Sequence, residues 1–497
     1  MKNNSIEQLK IPQKQSPVAI LLILYKFFIL VLKNAFPVLL VLFLKPNNSS
    51  NNFEAYIIIC ISLVSAALSI AAYYKFLYFI QGDEIIINKG ILKKVNLNVP
   101  FDRIQAINTN QTLIHRIFNV ASIEIDTAGS KNSEIKIDAI NYEKAEALKN
   151  YILSEKEKIN SDIDVNNTLI IDANQGKTLL QLDIPTLLKV GISQNHLQSF
   201  FIITFFFLGL SQYADIFLNK QEYVDMEQNL SSLFTNFFFV IIPIMLAATL
   251  LLSLFRTVLK YYNLIFKETS QGYRLVSGLF TRNEEQAALQ KIQLIGWHAN
   301  PLKKLYGMFQ LNLSQAFSSS MVRKQTMQIP GIYVEQIERV CNSYFPENET
   351  EEYSVHPVSP RLMIRTFSFI SIILGALLAI KYFEIIDGFR WTFVIFALLI
   401  AILYTYISWN KWEVQISPRG LLLRRGFIRT SYLLLRWEKI QGLRSRQSIF
   451  QKRRSLSDLH IFTAAGVVKI PYLSADLIDD LRNYLLYYVE SDNKPWM

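Results

Sequence analysis

Six basic side chains recur at fixed spacing in three stretches of this chain. Arg103, Lys291 and Lys439 each stand one residue before an isoleucine, at Ile104, Ile292 and Ile440. Arg116, Lys304 and Lys452 each stand twelve residues after it. A denser group follows near the end: Arg444, Arg446, Lys452, Arg453 and Arg454 lie within eleven residues, with Arg424, Arg425 and Arg429 just upstream. Such bases can hold acidic lipid head groups or an acidic protein surface, and each one near an anionic leaflet contributes about 1 kcal/mol. The same bases can instead be solvated, pair with local acids such as Asp102 and Glu438, or be cytoplasmic charge set by membrane topology.

Catalytic chemistry has no comparable set of residues. His115, His196, His298, His356 and His460 include no pair at helical spacing with a carboxylate or cysteine partner, so no metal site is expected. His115 precedes a repeated base, but Lys303 and Gln451 stand at its counterparts, which makes it a surface residue. The chain has no G-x-S-x-G, P-loop or G-x-G-x-x-G sequence. Cys60 and Cys341 lie far apart and build neither a disulfide framework nor a zinc cluster. The basic group has few interleaved aromatics for stacking bases, so nucleic acid is not an expected partner. The expectation is a binding protein with no cofactor, not an enzyme.

The elements around these residues include long apolar runs. Of 497 residues 51% are hydrophobic and only 18% charged, against a usual charged share of roughly 25%. Six stretches approach the twenty or so apolar residues that span a bilayer: one within 17–44, then 54–80, 199–218, 233–255, 366–382 and 391–409. They predict six transmembrane helices in three hairpins. Residues 410–497 carry 15 basic and 8 acidic side chains, and 256–361 carry 12 and 9. With Lys10, Lys14, Arg256, Lys260, Arg361, Arg365 and Lys411 as flanks, the positive-inside rule places the termini and all three polar segments in the cytoplasm.

The three polar segments repeat one another. Asp102-Arg103-Ile104-Gln105, Gln290-Lys291-Ile292-Gln293 and Glu438-Lys439-Ile440-Gln441 align without a gap. Gly90, Gly278 and Gly426 each stand fourteen residues before the isoleucine, followed by Ile-Leu, Leu-Phe and Phe-Ile. Alternating stretches begin at Ser122, Gln310 and Asp458, eighteen residues after it. Period-two runs at 84–88, 122–126, 134–138, 412–416, 421–425, 459–463 and 467–470 predict strands, with the three glycines as hairpin turns. Helical patterns at 141–158, 331–345 and 474–490 close each unit, the last with Ser474 as its cap. Six or seven short strands and then a helix make an α+β unit, a small antiparallel sandwich or barrel.

The residues that carry this pattern resemble a known family. The GILxK stretch after Gly90, VPFDRIQAIN, RIFNVASIEIDTAG and a closing helix, beside a membrane hairpin, are similar to the bacterial pleckstrin-homology-like, membrane-flanked proteins (YdbS/YdbT-like). The third segment matches through RRGFIRT, RWEKIQGLRSRQSIF and TAAG; the second departs where Ala316-Phe317 replaces the Ala-Gly pair. The resemblance implies a pleckstrin-homology (PH)-like fold for each unit and placement in the plasma membrane. The expected domains are an N-terminal segment with hairpin 1 (1–80), PH-like domain 1 and linker (81–198), hairpin 2 (199–255), PH-like domain 2 and linker (256–361), hairpin 3 (362–409) and PH-like domain 3 (410–497). The expected function is that of a multi-pass plasma-membrane scaffold or sensor. Its modules would bind membrane lipids, anionic ones included, a second membrane protein of the family, or another copy of the chain. The alternative is a component of a membrane export or transport system.

Overall fold

The computed structural model describes residues 10–25, 71–90, 93–127, 135–161, 176–194, 199–204, 243–270, 272–316, 326–345, 354–382 and 391–491, together with single positions between 60 and 70 and His196. Every repeat follows one order of elements. The first has β1 (Gln13–Lys14), β2 (Leu77–Gln81), β3 (Glu84–Lys89) and β4 (Val95–Pro100), then a single 3-10 turn at Phe101–Arg103. Next come β5 (Ile104–Gln111), a short helix at Leu113–Ile117, β6 (Val120–Thr127), β7 (Ile135–Asn141) and the closing helix Tyr142–Ser161. The second repeat has β8 (Lys177–Gln181), β9 (Ile265–Thr269), β10 (Gly272–Ser277), β11 (Arg282–Ala288), β12 (Ile292–Ala299), β13 (Met308–Gln315) and β14 (Thr326–Tyr333), closed by Val334–Tyr344. The third has β15 (Ser354–Pro357), β16 (Glu413–Ile416), β17 (Gly420–Gly426), β18 (Thr430–Arg436), β19 (Ile440–Arg446), β20 (Leu456–Thr463) and β21 (Gly466–Ser474), closed by Ala475–Ser491.

Helices thus leave the sheet after its first strand and return to its second. Pro17, Pro185 and Pro360 follow β1, β8 and β15, and Pro185 occupies the first turn of the helix Ile184–Ile192. A missing N–H costs nothing at that position. At the returning end an aromatic donor holds the chain: Tyr73 Oη donates to Gln15 O at 3.2 Å, and the corresponding Trp409 Nε1 donates to Val358 O at 2.9 Å. β8 and β15 lie in stretches where the sequence suggested linkers, because four or five residues show too little alternation to register as strands.

The expected six-helix membrane fold does not stand. Strand and helix occur in comparable amounts across four sheets. Among the described residues one helix, Pro243–Tyr261, is long and apolar enough to cross a bilayer, and Ile395–Asn410 is a shorter apolar helix. Hydropathy reads composition and not the element. The end of the 54–80 run is strand β2. The helix Arg361–Tyr382 carries Arg361, Arg365 and Lys381, and its Leu362 packs into the core of the third repeat. Much of the expected spans at 17–44, 54–80, 199–218 and 233–255 lies outside the described residues.

The chain divides into two compact units, residues 1–270 with 274–286, and 271–273 with 287–497. The division falls inside the second repeat. In the first unit the sheet β1-β2-β3-β4 and the strands β5, β6 and β7 enclose one core with the closing helix: Ile85, Ile87, Phe101, Ile107, Ile123, Ile125, Ile137 and Ile152 are all but fully buried. The alternation in β3 puts Ile85 and Ile87 inward. In the second unit Trp437, Leu423, Leu435, Leu459, Ile461 and Ile470 form the same kind of core under the helix Ala475–Ser491, which Ser474 Oγ caps by accepting from Leu477 N at 3.2 Å.

Two backbone positions repeat with the sequence. Gly90, Gly278 and Gly426 have φ of +110°, +111° and +142°, and an added Cβ would stand 1.9 Å from a carbonyl oxygen three residues on. No other residue type can make that hairpin without moving the backbone. Asn119, Gly307 and Ser455, each ending the short helix of its repeat, share φ values of 51°, 64° and 51°.

Candidate functional site

The repeats are joined edge to edge. β5 of the first pairs antiparallel with β11 of the second, and β12 of the second with β18 of the third, so two seven-stranded sheets form. Arg282 lies opposite Gln111, and at the equivalent place Thr430 lies opposite Ala299. The two joints have one register. At the second, Trp297 and Tyr432 stack with ring centroids 5.3 Å apart and planes 10° from parallel.

The repeated bases meet these joints. Arg116 Nη1 donates to Leu279 O, beside the Gly278 hairpin of the next repeat. Lys304 Nζ donates to Thr430 Oγ1 at 3.1 Å, beside the Gly426 hairpin. Lys439, buried, donates to Gln290 O at 2.9 Å, on the 3-10 turn of the repeat before it. Arg103 is exposed on its turn and Lys291 is half-buried on the corresponding one. Lys452 is the third counterpart of Arg116 and Lys304, and stands exposed on the short helix Ile449–Lys452. Arg444 and Arg446 are exposed on β19, and Arg453 and Arg454 directly after the helix.

His115 is not a surface residue. It is 5% exposed, and its Nε2 donates to Asp138 O at 2.9 Å, so that Nδ1 can accept from Thr112 Oγ1. Lys303 and Gln451, its counterparts, are also buried and turn inward to Gln310 and Asp458. The residue before each repeated base is therefore a polar pin holding the short helix to its sheet. Lys303 has Arg429 nearby, and burial followed by that guanidinium lowers its ammonium to about 8. His298 is lowered to about 3 by burial first, then by Arg429 and Lys303.

A feature beyond the charge pattern is apolar. The short helices expose Leu113 and Ile117 with Phe118, then Leu302 and Leu305, then Ile449 and Phe450. Ile449 and Phe450 are 75% and 80% exposed, with Lys452, Arg453 and Arg454 following the buried Gln451. The sequence signal was available: an apolar residue stands within three places of each repeated base.

The comparisons with known proteins agree with this repeat. A bacterial PH domain model matches three times, over residues 22–156, 206–347 and 369–489, which together make up most of the chain. The chain belongs to the bacterial PH domain family. The third matched stretch runs from within the helix Arg361–Tyr382 to within the closing helix Ala475–Ser491, and so takes in the strands β16 to β21. The UPF0699 transmembrane protein YdbT of Bacillus subtilis (strain 168) is 24% identical over 461 residues, 90% of this chain and 91% of that protein.

Proposed function

We propose that this protein is a membrane-attached scaffold whose PH modules rest on an anionic lipid surface through their short helices. The observation that carries the reading is the exposed pair Ile449 and Phe450 amid Arg444, Arg446, Lys452, Arg453 and Arg454. A pair of large exposed apolar side chains beside a basic cluster suits an interface where acyl chains meet acidic head groups. The Pro243–Tyr261 helix and the transmembrane designation of the Bacillus relative support membrane attachment. The flanking bases favour the cytoplasmic leaflet of the plasma membrane. The chemistry is binding and not catalysis.

The test uses the full chain in lipid nanodiscs, with Phe450→Cys carrying an environment-sensitive fluorophore and Cys60→Ser removing the exposed native thiol. The emission should shift to the blue in anionic nanodiscs. Added salt, or reversal of Arg453 and Arg454 to Glu, should abolish the shift. Equal emission in anionic and zwitterionic nanodiscs would count against lipid contact and turn attention to a protein ligand at the same helix.

A further inference from the structure

Among the described residues the two internal joints leave two edges over, and these edges are complementary. Each joint pairs the first strand of one repeat's three-stranded part with the fourth strand of the next repeat's four-stranded part. β5 and β12 are used in this way, and so are β11 and β18. β19 in the third repeat corresponds to β5 and β12, and it lies at the edge of the sheet β19-β20-β21. β4 in the first repeat corresponds to β11 and β18, and it lies at the edge of β1-β2-β3-β4.

Burial follows the pairing. β12, with β18 across it, is buried at six of eight residues, whereas Arg444, Ser445 and Arg446 of β19 are exposed. Lys304 clips the short helix of its repeat to the Gly426 hairpin of the next, while the corresponding Lys452 is exposed. An edge strand of this kind is a template for a further strand.

We infer that the chain self-associates head to tail, with β19 of one copy pairing antiparallel with β4 of the next. The register follows from the two joints already in the chain. Asn96 would lie opposite Ser445, where Tyr432 lies opposite Trp297 and Glu284 opposite Thr109. Leu97 would face Arg444 and Val95 would face Arg446, so the two arginines meet uncharged partners. Lys452 would reach the Gly90 hairpin, as Lys304 reaches that of Gly426. Such an interface uses different surfaces on its two sides, so it builds rings or filaments and not a closed two-fold dimer. This inference stands on the sheet topology and is independent of the lipid reading. Arg444 and Arg446 would lie within the interface, and Ile449 and Phe450 would remain outside it, as Leu302 and Leu305 do at the joint to the third repeat.

The experiment is disulfide trapping of the full chain with Cys60→Ser and Cys341→Ser. Purified Asn96→Cys and Ser445→Cys variants are mixed and oxidised. Directly opposed positions in an antiparallel pair lie within disulfide reach. The expected result is a mixed dimer that grows no further, and a ladder of higher species from the double variant Asn96→Cys/Ser445→Cys. The control mixes Asn96→Cys with Arg444→Cys, whose side chain faces the other side of the strand. No more mixed dimer from the first mixture than from the control would overturn the proposal. Light scattering on the unmodified chain is the second readout, where a single-chain mass at every concentration would overturn it as well.

Discussion

Glu284 shows how a joint between repeats is fixed by single residues. It sits on β11, and its carboxylate forms an ion pair with Arg274 Nε at 2.8 Å and accepts from Lys149 Nζ on the closing helix of the first repeat. Its side chain is 10% exposed and that of Lys149 8%. Burial would raise the Glu284 carboxyl, but Lys149 and Arg274 reverse this and hold it below its ordinary value. Burial in turn lowers Lys149. Removing the carboxylate would leave two buried cations facing each other. Glu284→Gln is expected to cost about 3 kcal/mol in denaturant unfolding, the usual loss when one partner of a buried pair is deleted. Lys149→Met should cost less, because Arg274 still pairs with the acid.

His298 gives a pH prediction at the same scale. Its imidazole takes a proton only near pH 3 in the folded chain, against 6.5 ordinarily. Between those values the unfolded chain binds the extra proton, so stability is present above about pH 6.5 and falls as the pH drops towards 3. His298→Asn should flatten that fall, seen in the denaturation midpoint followed across the range.

At the scale of elements, the short helix and its left-handed last residue recur in all three repeats. Asn119 and Gly307 tolerate φ near +50° to +60°, whereas Ser455 meets a steric cost there. Ser455→Gly is expected to stabilise the third repeat by about 0.5 to 1 kcal/mol; a loss of stability on thermal unfolding would show that the position is not strained. Much of this level was legible in the sequence. The gap-free alignment on Ile104, Ile292 and Ile440 gave the strands, the Gly90, Gly278 and Gly426 hairpins, the closing helices and the Ser474 cap. What was not legible has physical causes. β1, β8 and β15 are too short to show a period, and they are cut from their sheets by the helices that follow. The long apolar runs obscured which residues are helix and which, like Leu77–Gln81, are strand. His115 read as a surface residue because its inward partner, Asp138 O, is distant in sequence.

For the whole molecule, position in the series decides what a repeated base does. Arg116, Lys304 and Lys439 are engaged within the chain, so identical chemistry at three places need not mean three ligand sites. Lys452, at the end of the series, is exposed. Lys304→Met should lower stability by no more than about 1 kcal/mol, as expected for a partly exposed contact, without altering lipid response. Charge reversal at Arg453 and Arg454 should leave stability nearly unchanged and remove the lipid response. The most direct measurement is amide hydrogen exchange of the full chain over Ser448–Ser455, in nanodiscs with and without anionic lipid at low salt. Slower exchange of this segment with anionic lipid, reversed by salt and absent in the Arg453→Glu/Arg454→Glu variant, is the predicted result. The same exchange rate in both kinds of nanodisc would contradict the account.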